Sequence, residues 1–153
     1  MFERTQDGKE MVVTAFDPLK GLGAVLTRIA VDPNMENWSA YLSPDGTHIA
    51  LMLGVTNRIK IFTIRGELVN EIQVKGLTGL TSSSWATDGK ALFVSGHIPW
   101  GYALLRVNLD GQTQPIIKNH VPDVMGAMPS PDGRHIALFA AGDNGNMWMI
   151  ENF

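Results

Sequence analysis

A chain of 153 residues is long enough to bury one sizeable core. With 44% hydrophobic and 18% charged residues and a formal net charge of −3, it carries no global basic field, which argues against nucleic acid as a direct partner. It has no cysteine, excluding a disulfide framework and a thiolate metal site. No apolar run approaches the roughly 18 residues that insertion into a membrane as a helix requires.

In chain order, the opening residues Met1 to Gly8 lack the charged-then-apolar pattern of a signal peptide. The chain as written is therefore expected in the cytoplasm, with the periplasm the alternative should it belong to a longer protein. Residues 2–31 read as three strands, about 2–5, 10–16 and 23–31, with no Ser-Pro-Asp-Gly turn among them. That is a unit lacking its innermost strand.

A repeat then sets in. Ser43-Pro44-Asp45-Gly46, Ala86-Thr87-Asp88-Gly89 and Ser130-Pro131-Asp132-Gly133 place their aspartates 43 and 44 residues apart, the length of one four-stranded propeller blade. Asp-Gly between apolar runs signals a tight turn, because glycine accepts the positive φ that the turn needs. Pro44 and Pro131 preset the φ of a turn position just before the Asp-Gly pair. A short apolar strand follows each turn (49–53, 92–95, 136–140), as fits strands covered on both faces. Third strands are expected at 58–64, 102–109 and 146–151, and outer, more polar strands at 67–74 and 112–117. The last unit stops after its third strand. The fold class expected is all-β: two full four-stranded antiparallel blades flanked by two incomplete ones, over about 1–33, 34–76, 77–119 and 120–153. An open arc leaves edges unpaired, so the ring is expected to close by oligomerisation or within a larger propeller.

These units resemble the TolB-like propeller repeat, a WD40-like repeat carrying Ser-Pro-Asp-Gly. Residues 43–46 and 130–133 match that motif fully, whereas Ala86-Thr87 departs from it. The resemblance covers 35–153 well and 1–34 by analogy. The ending from Asn146 to Phe153 looks like the C-terminus of such propellers in bacterial multidomain proteins, where they often follow a winged-helix regulator or a kinase domain. It implies a C-terminal fragment, or a short gene derived from one, in which the missing outer strand comes from the propeller's N-terminus.

His48 and His135 share one repeat slot, and Asp45, Asp88 and Asp132 another, so both sets read as structural. Asp143-Asn144-Gly145-Asn146 is oxygen-rich, but a hairpin turn explains it without calcium. The methionines read mainly as core. No nucleophile elbow and no phosphate-cradling loop is present. No catalytic residue, cofactor or metal is therefore assigned. What remains is one loop face: the turns between second and third strands, together with the links between blades. It carries Trp38, Arg58, His97, Trp100, Tyr102, His120, Asp123 and Asn144, with Glu36, Asn37, Asn57 and Asp143 beside them. Variable polar and aromatic loops on a rigid scaffold are where binding concentrates. The expectation is a non-enzymatic binding or sensing module with a protein partner or a second copy of itself. The alternatives are a self-assembling half-propeller of architectural role and a propeller accessory to a kinase, regulator or peptidase encoded elsewhere.

Overall fold

The computed structural model describes residues 1–118, 123–141 and 146–151. Among them every regular element is a β-strand, and the strands form four antiparallel meanders in chain order. The first sheet holds β1 (Phe2–Arg4), β2 (Glu10–Asp17) and β3 (Gly21–Ala30). The second holds β4 (Trp38–Leu42), β5 (His48–Leu53), β6 (Arg58–Thr63) and β7 (Leu68–Gln73). The third holds β8 (Gly79–Trp85), β9 (Ala91–Ile98), β10 (Gly101–Asn108) and β11 (Thr113–Lys118). The last holds β12 (Asp123–Pro129), β13 (His135–Ala141) and β14 (Asn146–Glu151). Two sheets are four-stranded and the flanking two are three-stranded.

The Ser-Pro-Asp-Gly turns are built as their residues dictate. Ser43 Oγ donates to the Asp45 carboxylate at 2.6 Å and accepts from His48 N at 2.9 Å. Asp45 accepts from Thr47 N at 3.1 Å and from Thr47 Oγ1 at 2.8 Å. Gly46 stands at φ 73°, where an L side chain is strained. Ser130 and Asp132 repeat the arrangement. At Ala86 the hydroxyl is absent, and within the turn Asp88 accepts from Lys90 N at 2.9 Å.

The first unit shows which strand it lacks. Lys9 O accepts from Val31 N at 2.8 Å, as Asn57 O accepts from Val74 N at 2.9 Å. By that match β2 corresponds to β6, β3 to β7 and β1 to β5, so the innermost strand is the one missing. The first turn nevertheless uses the same chemistry: Thr5 Oγ1 donates to Asp7 at 2.7 Å, and Glu10 N donates back to Thr5 Oγ1 at 3.1 Å. Joining β1 to β2, it lies at the opposite end of its sheet from the Ser-Pro-Asp-Gly turns. Asp7 accordingly stands 38 residues before Asp45, out of step with the repeat.

The core is a series of sheet-on-sheet layers. Met11, Val13 and Ile29 pack against Ile49, Leu51 and Phe62. Met52, Ile59, Ile61 and Ile72 pack against Leu80, Leu92, Val94 and Val107. Phe93 and Leu104 pack against Ile136 and Leu138. Polar struts cross the same junctions: Asn37 Nδ2 donates to Leu80 O at 3.0 Å, Asn57 Nδ2 to Leu77 O at 2.8 Å, and Trp85 Nε1 to Tyr41 O at 3.1 Å.

One hairpin departs from the repeat. Thr27 Oγ1 donates to Arg65 O at 2.9 Å, levelling the seventh residue of β3 with the β6–β7 turn. At the next junction the equivalent bond, Asn70 Nδ2 to Leu109 O at 2.6 Å, comes from the third residue of β7. The β2–β3 hairpin therefore reaches about four residues, roughly 13 Å, further. Phe16, Leu19 and Leu22 are exposed on it.

Candidate functional site

In an antiparallel meander the strand ends alternate. The β5–β6 and β9–β10 turns thus share one end of the arc with the links between sheets, and the Ser-Pro-Asp-Gly turns occupy the other. The first end is the expected loop face, and the structure sorts its residues.

Trp38 opens β4 and packs, half-buried, on the cluster of Met11, Met35 and Phe62, so its ring belongs to the core between the first two sheets. Arg58 is held within its own sheet, donating to Glu71 at 2.8 Å and to Gln73 Oε1 at 3.2 Å. Asn37 and Asn57, read from the sequence as face residues, are inter-sheet struts in the left-handed region, at φ 48° and 54°. Asp123 begins β12, paired through its backbone with Ala141. His120, Asp143 and Asn144 lie outside the described residues.

The remaining three residues come together. The strands expected at 92–95 and 102–109 left residues 96–101 as a loop. Instead β9 and β10 stay paired as far as Ile98 and Gly101, leaving Pro99 and Trp100 alone at the turn. Pro99 fixes its own φ, and Gly101 takes φ 140° to bring the chain back. Each of these strands has eight residues, against six in β5 and β6, so the tip projects. Beneath it His97 and Tyr102 face one another across the strands, ring centroids 4.4 Å apart and planes tilted by 43°. Ile98 anchors the hairpin on the central core. Trp100 itself is 85% exposed. The result is a stiff stem carrying a large aromatic into solvent.

A second feature opens at the same end. Asp32, Met35, Leu53, Val55, Lys60 and Phe62 line a cavity of about 210 Å³ between the first two sheets. Leu51, Leu53 and Phe62 give it an apolar part, and Asp32, Glu36 and Lys60 are the charged residues of its lining. It was not legible in the sequence, because its walls come from two separate segments, 30–36 and 51–62, that only the packing of the sheets brings together. Among the described residues no group of three or more His, Asp or Glu is placed to hold a metal ion.

No protein-family model matches the sequence, and no curated protein matches it either. Solved structures do. The whole chain is similar to half of a protein from Bacteroides fragilis provisionally named a 6-phosphogluconolactonase, at 15% identity and a TM-score of 0.64. It is similar to hydrazine synthase of Kuenenia stuttgartiensis at 16% identity and a TM-score of 0.67, over 98% of this chain and 45% of that one. TolB of Acinetobacter baumannii matches at 16% identity and a TM-score of 0.59, over 98% and 40%. The fold is that of a β-propeller arc. At these identities the likeness is one of fold alone. The arc spans about half the length of the propellers it resembles. Its four sheets are blades, and among the described residues no helix is long and apolar enough to cross a membrane.

Proposed function

We propose that this propeller arc is a non-enzymatic binding module that engages a protein partner through the β9–β10 hairpin of its third blade. The observation that carries the reading is Trp100, held out at 85% exposure on a hairpin paired to its last residues. An exposed indole on a rigid stem loses little conformational freedom on binding and brings the largest apolar surface of any side chain. Tryptophan anchors of this kind dominate interface energetics at about 2 kcal/mol or more each. The His97–Tyr102 pair adds polar handles just below the anchor.

The test compares the native chain with Trp100→Ala as bait in cells that make it. A protein retained by the native chain should bind the variant at least roughly 30-fold more weakly, while the melting temperature stays within about 1 °C. Equal retention by both baits would sink the reading. So would a fall of several degrees in melting temperature, which would mark Trp100 as structural.

A further inference from the structure

The repeat makes the junctions between blades comparable slot by slot, and one slot breaks the pattern. Leu51 and Val94 each stand five residues after a turn glycine, Gly46 and Gly89, and both are buried. Val94 pairs with Leu105, which is 5% exposed and belongs to the core between the second and third blades. Leu51 pairs instead with Lys60. A lysine thus stands where the next blade has a core leucine, on the face that packs Leu51 and Phe62 towards the first blade. It is half-buried, and among the described residues its ammonium has no partner. The cross-strand neighbour Glu71 is engaged by Arg58, at 2.8 Å. Holding an ammonium in such a place is costly unless an anion reaches it.

Lys60 lines the cavity of about 210 Å³ between the first two blades. The link entering the second blade adds Asp32 and Glu36 to the same lining, and neither is ion-paired with Lys60. Both signs of charge therefore border one partly apolar space without meeting. The link is braced in advance. Arg4 donates to the carbonyls of Asp32, at 3.2 Å, of Pro33, and of Met35, at 3.1 Å, while Asn37 fixes the far end to Leu80 O. The corresponding hollow at the next junction, about 290 Å³, is lined by Ile98, Ala103, Leu105 and Pro115, with Lys75 as its one charged residue. The set of three charges is therefore no product of the repeat.

We propose that this cavity binds a free α-amino acid with an apolar side chain. Its carboxylate would pair with Lys60, its ammonium with Asp32 and Glu36, and its side chain would lie against Leu51, Leu53 and Phe62. An apolar cavity of roughly 150 Å³ holds benzene, so this one has room for a branched or aromatic side chain. A simple anion would meet two carboxylates beside its lysine, and a simple amine would leave Lys60 unpaired. A zwitterion answers both, and the braced link spares it the cost of ordering the wall.

Isothermal titration calorimetry with a small panel tests this on the native chain. L-Phenylalanine or L-leucine should bind with a Kd below roughly 1 mM. 3-Phenylpropionate, which lacks the ammonium, and phenethylamine, which lacks the carboxylate, should each bind at least about tenfold more weakly than phenylalanine. Glycine, with no side chain, should give no heat. Lys60→Met, which returns an apolar side chain to the slot of Leu105, should weaken phenylalanine binding at least about tenfold without lowering the melting temperature. Asp32→Asn combined with Glu36→Gln should weaken phenylalanine and phenethylamine but not 3-phenylpropionate. No heat from either amino acid overturns the proposal, as does a Lys60→Met variant that binds phenylalanine like the native chain. 3-Phenylpropionate bound as tightly as phenylalanine would replace it with a site for apolar carboxylates.

Discussion

Asp45 shows how much one hydroxyl can set. Ser43 holds its carboxyl down to about 2, with the backbone N–H and hydroxyl of Thr47 adding to the effect. A depressed carboxylate contributes stability that is complete above its unfolded pKa, near 3.8, and is lost as pH falls towards 2. Asp132 and Asp7 are lowered in the same direction, each first by its own hydroxyl partner, Ser130 and Thr5. Ser43→Ala should therefore raise the Asp45 pKa towards its ordinary value, as read by carbon-detected carboxyl titration. The acid limb of unfolding should move to higher pH with it. A pKa left near 2 would assign the shift to Thr47. These turns were legible in the sequence because every participant lies within five positions. Trp38 was not legible: the burial of its ring is decided by Met11 and Phe62, from strands that no local pattern ties to it. Trp100 was legible only as a candidate, since the motif places it in a turn and only the pairing of β9 with β10 shows how far it stands out.

At the scale of elements, strand number and order followed from the repeat, but strand reach did not. The third strand was expected to start near residue 23 and starts at Gly21, and the second strand of the third blade runs to Ile98 rather than ending near 95. Hairpin length depends on whether cross-strand partners keep pairing beyond the blade, which composition alone does not encode. The loops between blades are tighter than their sequences suggest. Gly54 N donates to Asn37 O at 2.8 Å, and Leu80 N donates to Gly54 O at 3.1 Å. A Cβ on Gly54 would stand 2.6 Å from Asn37 O and 2.7 Å from Leu80 O, both backbone atoms with no room to yield. Gly54→Ala should cost about 1–3 kcal/mol, measured by urea unfolding, whereas Gly46→Ala meets no neighbour and is opposed only by its φ of 73°. A neutral Gly54→Ala would mean that this junction is loose in solution.

Across the whole molecule the blades pack chiefly on their neighbours among the described residues, so stability should be graded along the chain. The second and third blades share the largest cluster and are covered on both faces. Amide exchange should be slowest at Ile59, Ile61, Leu92 and Val94, and fastest in β1 and in the projecting part of β3 from Gly21 to Leu26. Uniform protection would indicate instead that the arc opens all at once. The blade repeat was plain in the sequence, because a 43-residue period survives changes in its loops.

The knot at Gly54 bears on the shape of the arc. Asn37, Gly54 and Leu80 close a triangle of bonds that joins the link entering the second blade, the turn at its base and the inner strand of the third. Side-chain layers resist separation but let sheets slide and rotate by small amounts. A triangle of hydrogen bonds, two of them wholly between backbone atoms, resists both. The angle between the second and third blades is thus set from within, and the curvature of the arc is fixed before any partner arrives.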